Sequence, residues 1–370
     1  MKTKQTHLNK TQTINLGSFY TPDFIVDLAY KMLNNNINLE KNFVLLDSSC
    51  GYGNFLKSKI NFRRKIGIDI DQKAINYAMM NYKNDENPPI FLHKNSLFDI
   101  NRANFGIKDE ENLIIIGNPP YNDKSSIIQN KLKKEYFKID EDIKARDLGF
   151  SFLLSFNKLK ADFVCILHPL SYLIKENNFK ILRAFFKNYK LLDSLVISSE
   201  IFCPNSMSYF PIIIALYKKD NYGIDYNYIK NYQFKTIENK IFCLNDFVFI
   251  NQFVTKYPNK KQVLNNQKIA MFYTLRDINA LRRSKTFIEK DCDNAIYITA
   301  EKYSLYCYID VFKQILPKLP YYFGNLDVMI DYNNFKNLED KFVIASKTKQ
   351  LNPDIMDYFN NLLGKHYANS

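Results

Sequence analysis

The sequence predicts an α/β fold, a parallel sheet with helices on both faces, followed by an irregular α+β region. Three observations predict it. Short apolar runs alternate with stretches of helical spacing from residue 24 to residue 217, the pattern of a parallel sheet covered on both sides. A glycine-bearing turn, Asp47-Ser48-Ser49-Cys50-Gly51-Tyr52-Gly53, follows the first apolar run and opens a helix-like stretch. The alternation stops after Lys218-Lys219-Asp220-Asn221. The expected domains are therefore 1–221 and 222–370.

The elements follow in order. FIVDLAYKML (24–33) has helical spacing after Thr21-Pro22-Asp23, a plausible helix start. FVLLD (43–47) is a short buried strand, and a helix is expected to begin over Asn54–Ser58. KIGIDI (65–70) is the second strand, with a helix over Gln72–Tyr82. Strands at Ile90–His93 and Leu113–Ile116 come next. Asp123–Asp147 is polar and charged, an exposed loop or helix. Helices are expected over Phe150–Leu159 and Phe179–Phe186, and strands over Phe163–Leu167, Leu192–Ile197 and Pro211–Tyr217.

Composition narrows the partners. The chain of 370 residues carries a net charge of +13 and a pI near 9.1. The excess is spread, +8 over residues 1–220 and +5 over the rest, with no basic tail. Nucleic acid is the obvious polyanion for such a surface, and an acidic membrane surface the weaker alternative. Six scattered cysteines form no CxxC pair, and the four histidines show no metal-ligand spacing; reduced thiols in a cytosol are expected, without a metal site. MKTKQTHLNK at the start is polar, and no apolar stretch reaches a membrane-spanning length. The expected location is the bacterial cytoplasm.

The turn after the first strand is where a nucleotide-like cofactor binds in such sheets. It lacks the third glycine of a dinucleotide fingerprint and the Lys-Ser/Thr of a P-loop, which disfavours pyrophosphate and triphosphate. An acid, Asp47, with Ser49, Gly51 and Gly53 suits a ligand bearing an ammonium and little negative charge. S-adenosyl-L-methionine fits; the plainer reading is an ordinary βα turn. Asp69, at the end of the second strand with Ile70 beside it, suits two ribose hydroxyls. Asp71 more naturally caps the next helix. Asn95, with Ser96 after the third strand, suits an adenine edge, or is a loop asparagine in a turn.

Gly117-Asn118-Pro119-Pro120-Tyr121 closes the fourth strand. Two prolines stiffen it and remove two N–H donors, leaving a rigid ledge of carbonyls. An exocyclic amine conjugated to a purine is a poor nucleophile. The Asn118 carboxamide oxygen and the Pro119 carbonyl can each accept one of its hydrogens, draw the nitrogen toward tetrahedral geometry and free its lone pair. Tyr121 offers a face for the base.

On these motifs the chain resembles amino methyltransferases acting on adenine in DNA, of the gamma-class order, as in type II restriction-modification systems. Gly17-Ser18-Phe19-Tyr20-Thr21-Pro22 resembles the motif that covers the methionine end of the cofactor, through Tyr20 and Thr21. The cofactor loop, Asp69, Asn95-Ser96-Leu97 and the catalytic Asn118-Pro119-Pro120-Tyr121 follow in that order. Phe150–Asn157 resembles the next helix motif, with Phe152 packing near the cofactor. His168-Pro169 matches a strand-end motif, and Glu200-Ile201-Phe202 a motif that supplies a second aromatic; Phe210 competes with Phe202 for that role. The resemblance spans roughly residues 15–220. It implies a Rossmann-like methyltransferase domain, a carboxy-terminal target recognition domain over the rest, base flipping, double-stranded DNA as partner and a separate restriction endonuclease.

Three rivals have weight: the same chemistry on RNA or on a protein glutamine, a DNA-binding module that has lost activity, and a fused nuclease, for which little chain is left. Base reading is expected in TLRDINALRRSKTF (274–287), which holds the only arginines beyond residue 220, Arg276, Arg282 and Arg283. Arginine alone has the planar fork that pairs with guanine O6 and N7. If the stretch is helical, Arg276 and Arg283 share a face with Ala280; otherwise the charges are solvated or hold phosphates.

Overall fold

A computed structural model describes residues 20–39, 42–58, 60–121, 138–204 and 209–367. The chain folds as two compact units. Among the described residues, the first runs to residue 204 and takes in 212–229 and 234–237; the second takes 209–211, 230–233 and the chain from 238 onward.

A seven-stranded sheet flanked by helices organises the first unit. Its strands are β1 (Phe43–Asp47), β2 (Arg64–Asp69), β3 (Ile90–His93), β4 (Asn112–Gly117), β5 (Phe163–Pro169), β6 (Tyr189–Ser198) and β7 (Pro211–Lys219), in the order β3-β2-β1-β4-β5-β7-β6. Neighbours from β3 through β5 pair in parallel, and β7 runs antiparallel to β5. All five residues of β1 are buried, as are Leu113–Gly117 of β4. Burial on both faces is why these strands are continuous apolar runs and not alternating ones. β6 lies at the edge and alternates, with Lys190 and Leu192 exposed and Tyr189 and Leu191 buried, so it extends three residues before the apolar run that announces it.

Helices α1 (Asp23–Asn36), α2 (Gln72–Asn81) and α3 (Leu148–Lys158) connect and cover the strands. α1 turns Ile25, Val26, Ala29 and Leu33 inward and packs on β5 and β6. α2 is capped by the Asp71 side chain, which accepts the Lys73 N–H at 2.9 Å. Two expectations need correction. The helix expected over Asn54–Ser58 is one 3₁₀ turn, Asn54–Leu56, because the Asn54 amide is committed to the chain at Thr21 and Asp23. The helix expected over Phe179–Phe186 breaks at the wholly buried Leu182, leaving Glu176–Ile181 and Arg183–Phe186; the break lets Phe179 and Phe186 stack with centroids 4.4 Å apart. Most of the polar stretch 123–147 lies outside the described residues; its end forms a 3₁₀ turn, Glu141–Ile143.

The chain leaves β1 toward β2 and β3 on one side and returns to place β4 on the other. The carboxyl ends of β1 and β4 therefore flank the point where the winding reverses, the crevice in which open α/β sheets bind ligands.

The second unit has no such rhythm. An antiparallel pair, β8 (Ala270–Tyr273) and β9 (Ala295–Ile298), accompanies helices α4 (Ile278–Arg283), α5 (Tyr303–Ile315), α6 (Glu339–Thr348) and α7 (Pro353–Leu363). Its core is aromatic: around the buried Tyr308 ring gather Phe342 at 5.0 Å, Phe335 at 5.4 Å and Tyr358 at 5.9 Å. Asp310 is buried there and accepts hydrogen bonds from Thr286, Ser346 and Lys349, so its charge is compensated as burial demands.

Candidate active site

The crevice is built from strand ends. β1 delivers Asp47, which is 1% exposed. One of its oxygens accepts the Ser49 N–H at 3.2 Å, and among the described residues it forms no ion pair. Burial pushes its carboxyl up to about 8, against the pull of that single N–H. β4 ends beside it. A Cβ on Gly117 (φ +153°) would stand 2.7 Å from Asp47 Oδ1, so only glycine lets the two strand ends approach this closely.

The turn after β1 is locked to the end of β2. Gly51 donates its N–H to Asp69 Oδ2 at 2.8 Å, and Asp71 donates to Asp69 Oδ1 at 2.9 Å. Both Asp69 oxygens thus already hold backbone, and the carboxyl is half-buried and raised by that burial. Gly53 (φ +78°) turns the chain in the left-handed region, and Tyr82 donates its hydroxyl to the Gly53 carbonyl at 2.7 Å. The Ile70 carbonyl faces His93 Nε2 at 2.9 Å. Ser96, buried, donates its hydroxyl to the Ser48 carbonyl at 2.6 Å. Asn95 spends its amide on two segments: its oxygen accepts the Leu97 N–H of its own turn at 3.0 Å, and its nitrogen donates to the carbonyl of the distant Lys138 at 2.7 Å.

Asn118 leaves β4 with its amide divided. Nδ2 donates to Thr21 Oγ1 at 3.2 Å, whereas Oδ1 is buried with no hydrogen-bond partner among the described residues. Tyr121, half-buried, packs against α3: a Cβ on Gly149 would meet the Tyr121 Cβ at 3.0 Å and collide with the Tyr172 hydroxyl. Asp147 caps α3, accepting the Gly149 N–H at 2.8 Å and the Tyr172 hydroxyl at 2.6 Å. Phe152, on the same helix, is buried. His168, at the end of β5, is buried between the Tyr172 and Tyr217 rings and meets the Tyr217 hydroxyl at 2.7 Å. Burial pushes its pKa down to about 4, so the ring is neutral.

The structure thus brings Tyr20, Thr21, Asp47, Ser49, Gly51, Gly53, Asp69 and Asn118 to one end of the sheet, with Pro119, Pro120 and Tyr121 continuing from it. Gly17, Ser18 and Phe19 lie outside the described residues. Phe202 is packed, 5% exposed, and does not stand open as a platform; Phe210 is half-buried. In the second unit the stretch 274–287 is helical only over Ile278–Arg283, capped by Asp277. Arg276 precedes the helix, so it shares no helical face with Arg283. Arg282 donates to the Leu316 carbonyl at 2.9 Å; all three arginines are exposed.

Two features escape sequence reasoning. Asn54, 7% exposed, donates to the Thr21 carbonyl at 2.6 Å and to Asp23 Oδ1 at 3.0 Å, and faces the Tyr20 hydroxyl at 3.4 Å. Its signal was an asparagine directly after a glycine turn, a residue type that bonds locally to backbone. The Asp147–Tyr172 pair had no signal. Among the described residues no group of three or more His, Cys, Asp or Glu is placed to hold a metal ion, and no helix is long and apolar enough to cross a membrane.

A family model described as N-6 DNA Methylase matches residues 6–284. No curated protein matches the sequence. Similar solved structures include a candidate class I S-adenosylmethionine-dependent methyltransferase from Listeria monocytogenes, 17% identical, with 57% of this chain and 64% of that one covered and a TM-score of 0.42. A candidate RNA methyltransferase from Pyrococcus horikoshii is 16% identical over 59% of this chain and 93% of its own, at a TM-score of 0.40. A methyltransferase subunit of a type I restriction-modification system from Streptococcus thermophilus is 18% identical over 55% and 44%, at 0.37. The first and third of these are thus matched over less than two thirds of their length.

Proposed function

The chain belongs to the N-6 DNA methylase family, and from that premise we propose that it transfers a methyl group from S-adenosylmethionine to the N6 amine of an adenine flipped out of a specific double-stranded DNA sequence. The observation that carries the reading is the divided amide of Asn118. A buried acceptor without a donor costs about 1–3 kcal/mol, and an incoming amino group relieves that cost at the place where its lone pair must be freed. The Pro119 carbonyl accepts the second hydrogen, Pro120 keeps the ledge stiff, and Tyr121 carries the base on its face. Phe202, packed at 5% exposure, is the residue that the resemblance names for the second ring.

The residues at the strand ends fit the cofactor. Asp47 is a buried carboxyl without a countercharge among the described residues, and a cationic ligand supplies one. Asp69 offers carboxylate oxygens to the ribose hydroxyls, and its bond to the Gly51 N–H holds the turn in place. Tyr20, Thr21, Ser49, Gly53, Ile70, Ser96 and Phe152 complete the wall, with Asn95 turned to the adenine ring through the amide hydrogen and lone pair that Lys138 and Leu97 leave open. When bound, S-adenosylmethionine supplies an electrophilic methyl on a sulfonium. The chain orients the amine in line with it and excludes water, so proximity and electrostatic placement provide the acceleration.

On its motif order we assign the chain to the gamma class. We assign it to a type II system with a separate endonuclease, its sequence reading to residues 222–370 and its place to the bacterial cytoplasm. Radiolabelled S-adenosylmethionine, offered with duplex DNA, RNA and protein in turn, tests the reading. Label should enter N6-methyladenine in DNA alone. Asn118→Ala should lose about 100-fold or more of that rate with cofactor binding nearly unchanged. Label in RNA or in a glutamine amide, or an Asn118→Ala enzyme of normal turnover, refutes it.

A further inference from the structure

The catalytic amide has a second requirement beyond its oxygen. An asparagine side chain is broad about its last torsion, and its two ends are of similar size. Turned over, Asn118 would present two N–H donors to an amine that must itself donate. Something has to hold the amide plane.

Thr21 is the only hydrogen-bond partner of the Asn118 side chain among the described residues, through Oγ1 at 3.2 Å from Nδ2. Thr21 is 5% exposed. Its own placement is enforced from behind. Asn54 Nδ2 donates to the Thr21 carbonyl at 2.6 Å and to Asp23 Oδ1 at 3.0 Å, so one amide clamps the residues that enter α1. Asn54 in turn follows Gly53, whose carbonyl is held by Tyr82. A continuous set of bonds therefore runs from the turn after β1, through Asn54 and Thr21, to the amide after β4.

We propose that Thr21, fixed by Asn54, is a positioning residue for Asn118: its hydroxyl engages Nδ2 and so leaves Oδ1 as the atom that meets the target amine. This inference rests on the reading of Asn118 as the amine acceptor and assigns Thr21 a task distinct from covering the cofactor. It makes the turn that holds the cofactor and the ledge that holds the amine one rigid assembly. A misplacement of about 1 Å at such a group costs on the order of 100-fold in rate.

Thr21→Val removes the hydroxyl and keeps the shape. Single-turnover methyl transfer to duplex DNA at saturating S-adenosylmethionine should fall 10- to 100-fold, a loss well beyond any change in the cofactor's dissociation constant measured by calorimetry. Thr21→Ser keeps the hydroxyl and should recover the rate to within about fivefold of the native chain. The side-chain amide of Asn118, identified in spectra of ¹⁵N-asparagine-labelled protein by its disappearance in Asn118→Ala, should show one slowly exchanging proton that Thr21→Val makes fast. Thr21→Val losing cofactor affinity in proportion to rate, Thr21→Ser failing to recover, or an Asn118 amide indifferent to Thr21→Val each overturns the inference. The exchange measurement needs no acceptor, so failure of the DNA reading shows in the transfer assay alone.

Discussion

Asp47 shows how one residue links burial to pH. Its carboxyl titrates at about 8 in the folded chain against an ordinary 3.8. Between those values the folded chain holds a proton that the unfolded chain has released. Stability therefore falls as pH rises through that window, by up to ~1.4 kcal/mol per pH unit, and levels off above it. A ligand with an ammonium or sulfonium needs the ionised carboxylate, so binding expels the proton. The affinity for S-adenosylmethionine should rise by up to about tenfold per unit from pH 6 to 8 and then level. Calorimetry in buffers of different ionisation enthalpy should find close to one proton released at pH 7. Asp47→Asn should bind more weakly and without the slope. An affinity independent of pH in the native chain would remove Asp47 from the cofactor site.

At the scale of elements, the end of α3 is a packed joint. Asp147 caps the helix and grips the Tyr172 hydroxyl, and Gly149 leaves the space that Tyr172 and Tyr121 fill. Gly149→Ala should destabilise the chain by about 1–3 kcal/mol through overpacking and slow methyl transfer by displacing Tyr121. Adding Tyr172→Phe removes the nearest atom and should recover part of both losses, as urea unfolding and turnover would show; a double variant no better than the single one refutes the joint. The short α4 invites a second test. Arg282 is tied to Leu316, whereas the guanidinium groups of Arg276 and Arg283 have no hydrogen-bond or ion-pair partner among the described residues. Arg276→Ala or Arg283→Ala should therefore relax the methylated motif at one base pair, at a cost of about 1–3 kcal/mol, and Arg282→Ala should chiefly lower stability. Sequencing of methylated genomic DNA decides: an unchanged motif in both the Arg276 and the Arg283 variants moves base reading elsewhere.

The whole molecule was unevenly legible. Strands buried on both faces announce themselves as apolar runs, and so β1, β2, β4 and β5 were readable with the strand-end residues Asp47, Asp69 and Asn118. The edge strand β6 alternates and was read short. Pairings across the fold left no trace in the chain: Asn54 with Thr21, Thr21 with Asn118 and Asp147 with Tyr172 are joined only by folding, and a lone asparagine or threonine carries no mark of its distant partner. The aromatic packing of the second unit likewise follows no period. One property is legible throughout, the net charge of +13, of which +8 falls in residues 1–220 and +5 beyond. Charge spread in this way predicts that phosphate contacts come from both parts of the chain. With six to ten such contacts, duplex affinity should fall by about 10³–10⁵ between 50 and 200 mM salt. Fluorescence anisotropy with a labelled duplex gives the slope of log affinity against log salt. Replacing two exposed lysines in one region should lower the slope by about 2 whichever region is chosen, if both touch phosphate. An affinity indifferent to salt would leave the basic surface unexplained and turn the search for the acceptor toward protein.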